Sequence, residues 1–223
     1  MPTAGSRPSG GLNRRGEETR QRILEASLSV FGTCGYRATT TRTIARAAGV
    51  NLPALKYYFG NKEGVYIACA RELVRRYEAR LADLVTTILE EIKAGIPQNT
   101  ARNRLKAILD SLAPLLLIDD ETNPRTAFVL RELADRGPAF SILYDQLWAP
   151  GIEVVASLLA RAMGADEISE HHRIRALVLL SSFAAFSLVR PVSLKYLHWE
   201  DTNPDHRRTF LAVLHSEIDA LGA

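Results

Sequence analysis

The chain has 223 residues, 47% of them hydrophobic and 24% charged, which leaves room for one large globular domain or two modest ones. Its formal charge of +3 is unevenly spread: residues 1–62 hold ten Lys or Arg against three Glu (net +7), and the remainder holds 18 basic against 22 acidic residues (net −4). A basic front on an acidic body points to a polyanion met by the N-terminal part, with a solvated basic surface as the plainer alternative.

Residues 1–16, rich in Gly, Pro, Ser and Arg, read as a basic arm without fixed structure. Residues 1–13 have no apolar stretch of the kind a secretory signal needs. A helix is expected from about Glu17 to Thr33, with Ile23, Leu24, Leu28, Val30 and Phe31 on its apolar side and Gly35 as its stop. Thr39 is a natural N-cap for a second helix, Thr40–Ala48, whose buried face uses Ile44, Ala45 and Ala48. Gly49 closes it. Asn51 caps a third helix, in which Pro53 is tolerated because it falls in the first turn. Two short helices joined across AGVN form a helix-turn-helix pattern, with Val50 available for burial between them.

The rest of the chain also reads as helical. Helices are expected over Lys62–Lys93, about Thr100–Ile118, Arg125–Asp135, Ala139–Met163 with a kink at Pro150, Ser169–Val189 and Asp205–Leu221. The longest nearly apolar run, Ala176–Val189, spans 14 residues including three serines, too few to cross a bilayer and better suited to a buried helix. Cys34 and Cys69 fall in helical patterns without metal-ligand spacing, as in a protein of the reducing cytosol. No alternating strand pattern or fixed-period repeat is present, so the expected fold is all-α.

The stretch GYRATTTRTIARAAGVNLPALKYYFGNKEGVY, residues 35–66, resembles the DNA-binding segment of the TetR family of transcriptional regulators. The likeness is carried by Gly35-Tyr36, Thr39-Thr40, Ile44-Ala45, Ala48-Gly49-Val50, Leu55, Phe59, Lys62 and Glu63, and is contiguous from about Thr19 to Tyr66. Further on, RTAFVLRELADRGPAF is similar to the ligand domain of a CecR-like branch. The resemblance implies a three-helix helix-turn-helix head over residues 17–61, followed by a larger helical ligand-binding and dimerisation domain over residues 62–223. It also implies a cytoplasmic homodimer paired through its last two long helices. Such a dimer would bind a palindromic double-stranded operator, act most often as a repressor and leave the DNA when a small-molecule effector binds. No cofactor, metal or membrane partner is implied.

Read chemically, the third helix is a recognition helix. Leu55 and Phe59, at i and i+4, anchor one face, and Leu52 and Lys56 share another with Tyr57 beside them. Lys56 can donate to guanine O6 or N7 or to phosphate, Leu52 and Ala54 can meet a thymine methyl, and the Tyr57 hydroxyl can reach a phosphate oxygen. The family commonly has a phosphate-contacting tyrosine at the position of Lys56, so here Tyr57 or the lysine itself takes that part. Lys62 matches the family lysine that meets backbone phosphate. Thr40, Thr41 and Arg42 lie at the start of the second helix, where free N–H groups favour an anion, and Arg46 is one turn further on the same face. Arg14 and Arg15 can extend this footprint, whereas Tyr36 and Tyr58 suit packing inside the head and Arg37 a solvated loop.

Candidate effector-binding residues are large or charged groups within apolar helices: Phe128, Arg131, Tyr144, Trp148, Phe183 and Phe186, with Glu132 and Arg190 as further possibilities. Ordinary core packing, or an ion pair for Arg131 and Glu132, is the competing reading of each. Two other function classes fit the sequence less well. An enzyme is disfavoured because no phosphate-binding glycine loop, nucleophile elbow or HExxH motif occurs, and His198, Glu200, Asp205 and His206 lack metal-ligand spacing. A helical protein-interaction module would give no reason for basic charge and motif order to coincide in the head.

Overall fold

The computed structural model describes residues 10–117 and 123–221. Among them every regular element is helical. These are α1 (Gly10–Ala38), α2 (Thr41–Ala47), α3 (Leu52–Phe59), α4 (Lys62–Lys93), α5 (Gln98–Leu116), α6 (Pro124–Asp135), α7 (Phe140–Leu143), a π-helical segment (Tyr144–Trp148), α8 (Ala149–Ala162), α9 (Glu170–Leu188), α10 (Arg190–Leu197) and α11 (Pro204–Asp219).

The described residues up to Leu73 form one compact unit together with Asn123–Ile142. Those from Val74 to Leu117 and from Leu143 onward form a second. The division therefore differs from the expected boundary at 61/62: α6 and the first turns of α4 belong with the head. The reason is aromatic packing. Phe31 of α1 meets Tyr66 of α4 edge-on at 4.7 Å, Tyr66 lies 4.6 Å from Phe128 of α6, and Tyr36 lies 4.8 Å from Tyr66. Phe31 and Phe128 are buried along with Ile23, Leu24, Leu28, Ile44 and Leu55. Such rings, crossing edge-to-face or tilted, give both area and orientation preference.

Two local expectations change within this unit, and the stop at Gly35 is kept. The helix expected from Glu17 already runs from Gly10, supported by an Arg14–Glu18 pair at i, i+4 and by the Thr19 hydroxyl donating to the Arg15 carbonyl. Residues 1–9 of the expected arm lie outside the described residues. Gly35 breaks the helical ladder of α1 (φ 76, ψ 170), as its stop role requires. The N-cap of α2 is Thr40 rather than Thr39: the Thr43 N–H donates to Thr40 Oγ1 at 3.1 Å, while Thr39 is buried with its hydroxyl donating to the Gly35 carbonyl. Thr40 thus stands just outside α2, one residue later than the sequence pattern indicates.

In the second unit, α5, α8, α9 and α11 surround a core that includes Leu105, Leu109, Val155, Leu159, Phe183 and Ile218. Pro150 sits at the start of α8 directly after the π-helical segment, where the Ala149 N–H reaches the Tyr144 carbonyl one residue further back than in an α-helix. The wide turn accommodates a residue that lacks an N–H, so the expected kink takes the form of a π-bulge. Pro191 does not end the helical region. It opens α10, which departs from α9 at 82°. No single helix among the described residues is long and apolar enough to cross a membrane.

The apolar surface of α9 divides in two. Ala176 and Phe183 face the core, but Val178 is 67% and Leu188 70% exposed, with Ile174 and Leu177 exposed beside them. On α11, Leu214 is buried at 6% exposure and belongs to the core. The outward apolar residue there is Val213, 58% exposed.

Candidate nucleic-acid interface

The interface begins with the turn between α2 and α3. Gly49 adopts φ 62, a left-handed conformation open to glycine, and the Val50 N–H returns to the Ala45 carbonyl at 2.9 Å. Val50 is half-buried, which pins the turn. Asn51 then caps α3 by accepting from the Ala54 N–H at 2.8 Å, and Pro53 occupies the first turn without losing a hydrogen bond. Only eight residues follow, too few for a helix to persist alone in water. Leu55, fully buried, anchors it, and half-buried Phe59 carries the Arg20 guanidinium 5.6 Å from its ring centroid.

With that face committed, Lys56 is exposed and Tyr57 is 83% exposed. The Tyr57 ring rests edge-on against half-buried Tyr58 at 5.1 Å, so its direction is supported without its hydroxyl being used up. Leu52 and Ala54 are half-buried at the start of α3. On α2, Arg42 and Arg46 are exposed one turn apart, Thr41 is half-buried, and Thr40 is exposed although its oxygen serves as the helix cap.

The far end of α3 is fixed in two ways. Gly60 (φ 75) returns its N–H to the Lys56 carbonyl, and Asn61 caps α4 by accepting from the Gly64 N–H at 2.8 Å. The cap by Asn61 is a contact that the sequence reading missed, although Asn three residues before Gly64 at a helix start is its usual signal. Lys62 departs in part from expectation. Its ammonium donates to the Tyr36 carbonyl at 3.1 Å and lies 4.4 Å from the Tyr36 ring centroid, so it ties the start of α4 to the last turn of α1, beyond Gly35. An ammonium has three N–H donors, so one bond to a carbonyl does not exhaust it.

The effector candidates divide between the two units. Phe128 is core of the first unit, not a pocket wall. Arg131 donates through Nε to the Gly32 carbonyl and through Nη2 to the Thr33 carbonyl, both at 2.6 Å, and so closes the open end of α1 ahead of Gly35. A guanidinium is suited to that place because its planar fork meets two carbonyls at a helix C-terminus. Glu132 is buried rather than surface-paired with Arg131: it accepts from the Tyr66 hydroxyl and from the Ala139 N–H. Burial and this carboxylate push the Tyr66 hydroxyl pKa far upward. In the second unit Phe183 is fully buried against Phe210, and Phe186 lies between Phe210 and Trp199. Tyr144 is about half exposed and Trp148 half-buried in the π-helical segment. His206 stacks on Trp199 at 4.2 Å, and no group of three or more His, Cys, Asp or Glu among the described residues is placed to hold a metal.

Residues 23–69 match the family described as bacterial regulatory proteins, tetR family, and residues 101–222 match the C-terminal domain of the HTH-type transcriptional dual regulator CecR. Over 216 residues the chain is 28% identical to the dual regulator CecR of Shigella flexneri, spanning 93% of this chain and 92% of that one. It is 34% identical over 85 residues to the transcriptional repressor AcnR of Corynebacterium glutamicum, covering 38% of this chain and 43% of that one. Two solved structures share the fold: a transcriptional regulator from Rhodococcus (TM-score 0.60, 19% identity, 92% of this chain and 98% of that one) and the fatty acid degradation regulator FadR from Bacillus halodurans (TM-score 0.58, 17% identity, 90% and 97%). The relatives are regulators and not enzymes. An exposed basic face on a capped helix-turn-helix and the two matching domains lead to one assignment: the chain belongs to the TetR family of DNA-binding transcriptional regulators, with a C-terminal domain of the CecR type.

Proposed function

We propose that the chain is a cytoplasmic, ligand-responsive repressor that binds a palindromic operator as a homodimer and is released by a small-molecule effector. The observation that carries this reading is the outward pairing of Lys56 and Tyr57 on a short helix whose other face is anchored by Leu55. Within the major groove, Lys56 reads a guanine edge or meets phosphate, and Tyr57 positions the helix on the backbone. Leu52 and Ala54 supply apolar contact at the start of the helix. Thr40, Thr41, Arg42 and Arg46 meet the neighbouring phosphates from α2, and the remaining donors of Lys62 do so from α4. Arg14 and Arg15 extend the footprint.

Dimerisation is supported by the exposed apolar residues of α9 and α11, Leu177, Val178, Leu188 and Val213. A stable interface of this kind buries more than about 1,000 Å². The effector is received by the larger helical part, where Tyr144, Trp148 and Phe186 are the candidates that retain open surface. An effector lowers operator affinity only if it binds the DNA-incompetent state more tightly, and the coupling is reciprocal.

The test is selection of bound DNA from a random duplex pool, followed by salt titration of the selected site. Enrichment of a two-fold symmetric sequence, with an affinity that falls steeply with salt, is the expected result. Recovery of unrelated sequences of equal affinity would overturn the reading.

A further inference from the structure

The first compact unit contains a cavity of about 520 Å³ walled by Tyr36 and Arg37 in the last turn of α1, Tyr66 of α4, Arg131 and Asp135 of α6, and the turn Arg136–Pro138. Three arginines and one aspartate are therefore among its lining residues. Neither Arg37 nor Arg136 is ion-paired among the described residues, and the Arg136 guanidinium lies 5.8 Å from the centroid of the Phe140 ring. Arg131 spends Nε and Nη2 on the carbonyls that end α1, which leaves Nη1 without a hydrogen bond.

The backbone at Arg136 adds a second, independent observation. It is left-handed (φ 46, ψ 58) at the C-cap of α6, where glycine is the usual occupant, and a glycine stands immediately after it. A long cationic side chain held in a conformation that favours glycine points to use of that side chain. The turn is also built to hold its place. Glu132 accepts from the Tyr66 hydroxyl on one side and from the Ala139 N–H at 3.0 Å on the other. A Cβ at Gly137 would lie 2.6 Å from Glu132 Oε2, so a larger residue there would displace that carboxylate. This part of the cavity wall is held by bonds within the protein, which lowers the ordering cost a ligand meets there.

We propose that this cavity is a binding site for a small organic carboxylate with a compact apolar or aromatic body. Its carboxylate is held by Arg37, Arg136 and Nη1 of Arg131, and its body lies against the rings of Tyr36 and Tyr66 and against Pro138. Charge-assisted, forked hydrogen bonds from arginine suit a planar carboxylate, and the volume falls within the range of small-molecule pockets. The site lies within the DNA-binding unit and is separate from the effector position proposed for the larger helical part. An occupant touches Tyr36, whose carbonyl accepts from Lys62 at the head of α4.

The experiment uses the full chain, ¹⁵N-labelled at arginine, titrated with benzoate, its neutral analogue benzamide and inorganic phosphate while the arginine Nε–H resonances are followed. Saturable binding of benzoate, with benzamide and phosphate each weaker by about tenfold or more, is expected from loss of a charge-assisted hydrogen bond or of the apolar contact. Arg136→Gly and Arg37→Ala are each expected to weaken benzoate by about tenfold. Arg136→Gly is also expected to leave Tm unchanged or higher, because glycine relaxes the left-handed backbone. Absence of saturable benzoate binding, equal binding of benzamide, phosphate binding as tight as benzoate, or benzoate affinity unchanged in both variants would each overturn the proposal. No DNA is present, so the outcome is independent of the operator reading.

Discussion

Replacing Gly64 with alanine drives a methyl group into the end of α3. A Cβ at that position lies 2.1 Å from the Phe59 carbonyl oxygen and 3.2 Å from the carbonyl carbon, whereas ordinary contact begins at 3.4 Å. The shortfall of about 1.3 Å (3.4 less 2.1) is against backbone, so no rotamer change relieves it. Either the last turn of α3 or the first turn of α4 must move. Overpacking of this kind costs about 1–3 kcal/mol. For a chain of this size each kcal/mol is worth roughly 2–4 °C, so Tm should fall by about 2–12 °C. The displaced helix carries Lys56 and Tyr57, and one misplaced base contact costs about 1–3 kcal/mol, or roughly 5- to 150-fold in operator affinity. Gly151→Ala is the control: nothing lies within 4 Å of its added Cβ, so it should be neutral or stabilise by up to about 1 kcal/mol. Scanning calorimetry and fluorescence anisotropy on the selected operator measure the two effects. A Gly64→Ala protein matching wild type in both Tm and affinity would refute the claim that this close approach positions α3.

The double replacement Lys56→Ala with Tyr57→Ala should reduce operator affinity to the level of unrelated DNA. Both side chains are exposed, so stability should stay within about 0.5 kcal/mol, and specific binding that persists in gel-shift titrations would sink the contact assignment. Arg131→Met keeps the aliphatic length but removes both donors from the end of α1, and should destabilise by about 1–3 kcal/mol in chemical denaturation. An unchanged midpoint would show that solvent replaces the arginine without cost. Val178→Glu combined with Leu188→Glu should give monomers in sedimentation at low micromolar concentration, and a dimer that persists would place the subunit contact elsewhere.

Local chemistry made the head and most helix ends legible in the sequence. The bounds of α4 follow from GNK before it and AG after it, and Asn51 is the cap that its side chain and spacing predict. Where two adjacent threonines competed for the start of α2, the choice depended on Thr39 being buried against the Gly35 carbonyl, a contact that no local pattern displays. Pro191 reads equally well as the end of one helix or the first turn of the next, and the structure makes it the latter. The largest gap concerns Phe128, Arg131 and Glu132. Their partners are Phe31, Gly32, Thr33 and Tyr66, between 62 and about 99 positions away in the chain, and helical periodicity shows which face of α6 is apolar but not what covers it. The same limit holds for Leu214 and Val213: α11 carries apolar residues on more than one side, and only the packed neighbours decide which side is core.

The completion of the first unit by α6 also constrains the order of events during synthesis. Its N-terminal portion ends at Leu73, but the segment that covers Phe31 and Tyr66 is not translated in full until Ile142. At roughly 5–20 residues per second, the 69 intervening positions take about 3–14 s. During that interval the helix-turn-helix can form its short-range contacts while one aromatic flank remains uncovered. Nascent chains stalled after Leu73 should therefore be proteolysed readily around α1, and chains extended far enough for Ile142 to clear the ribosome should resist. A DNA-binding head built this way matures only after part of the body that follows it has been made.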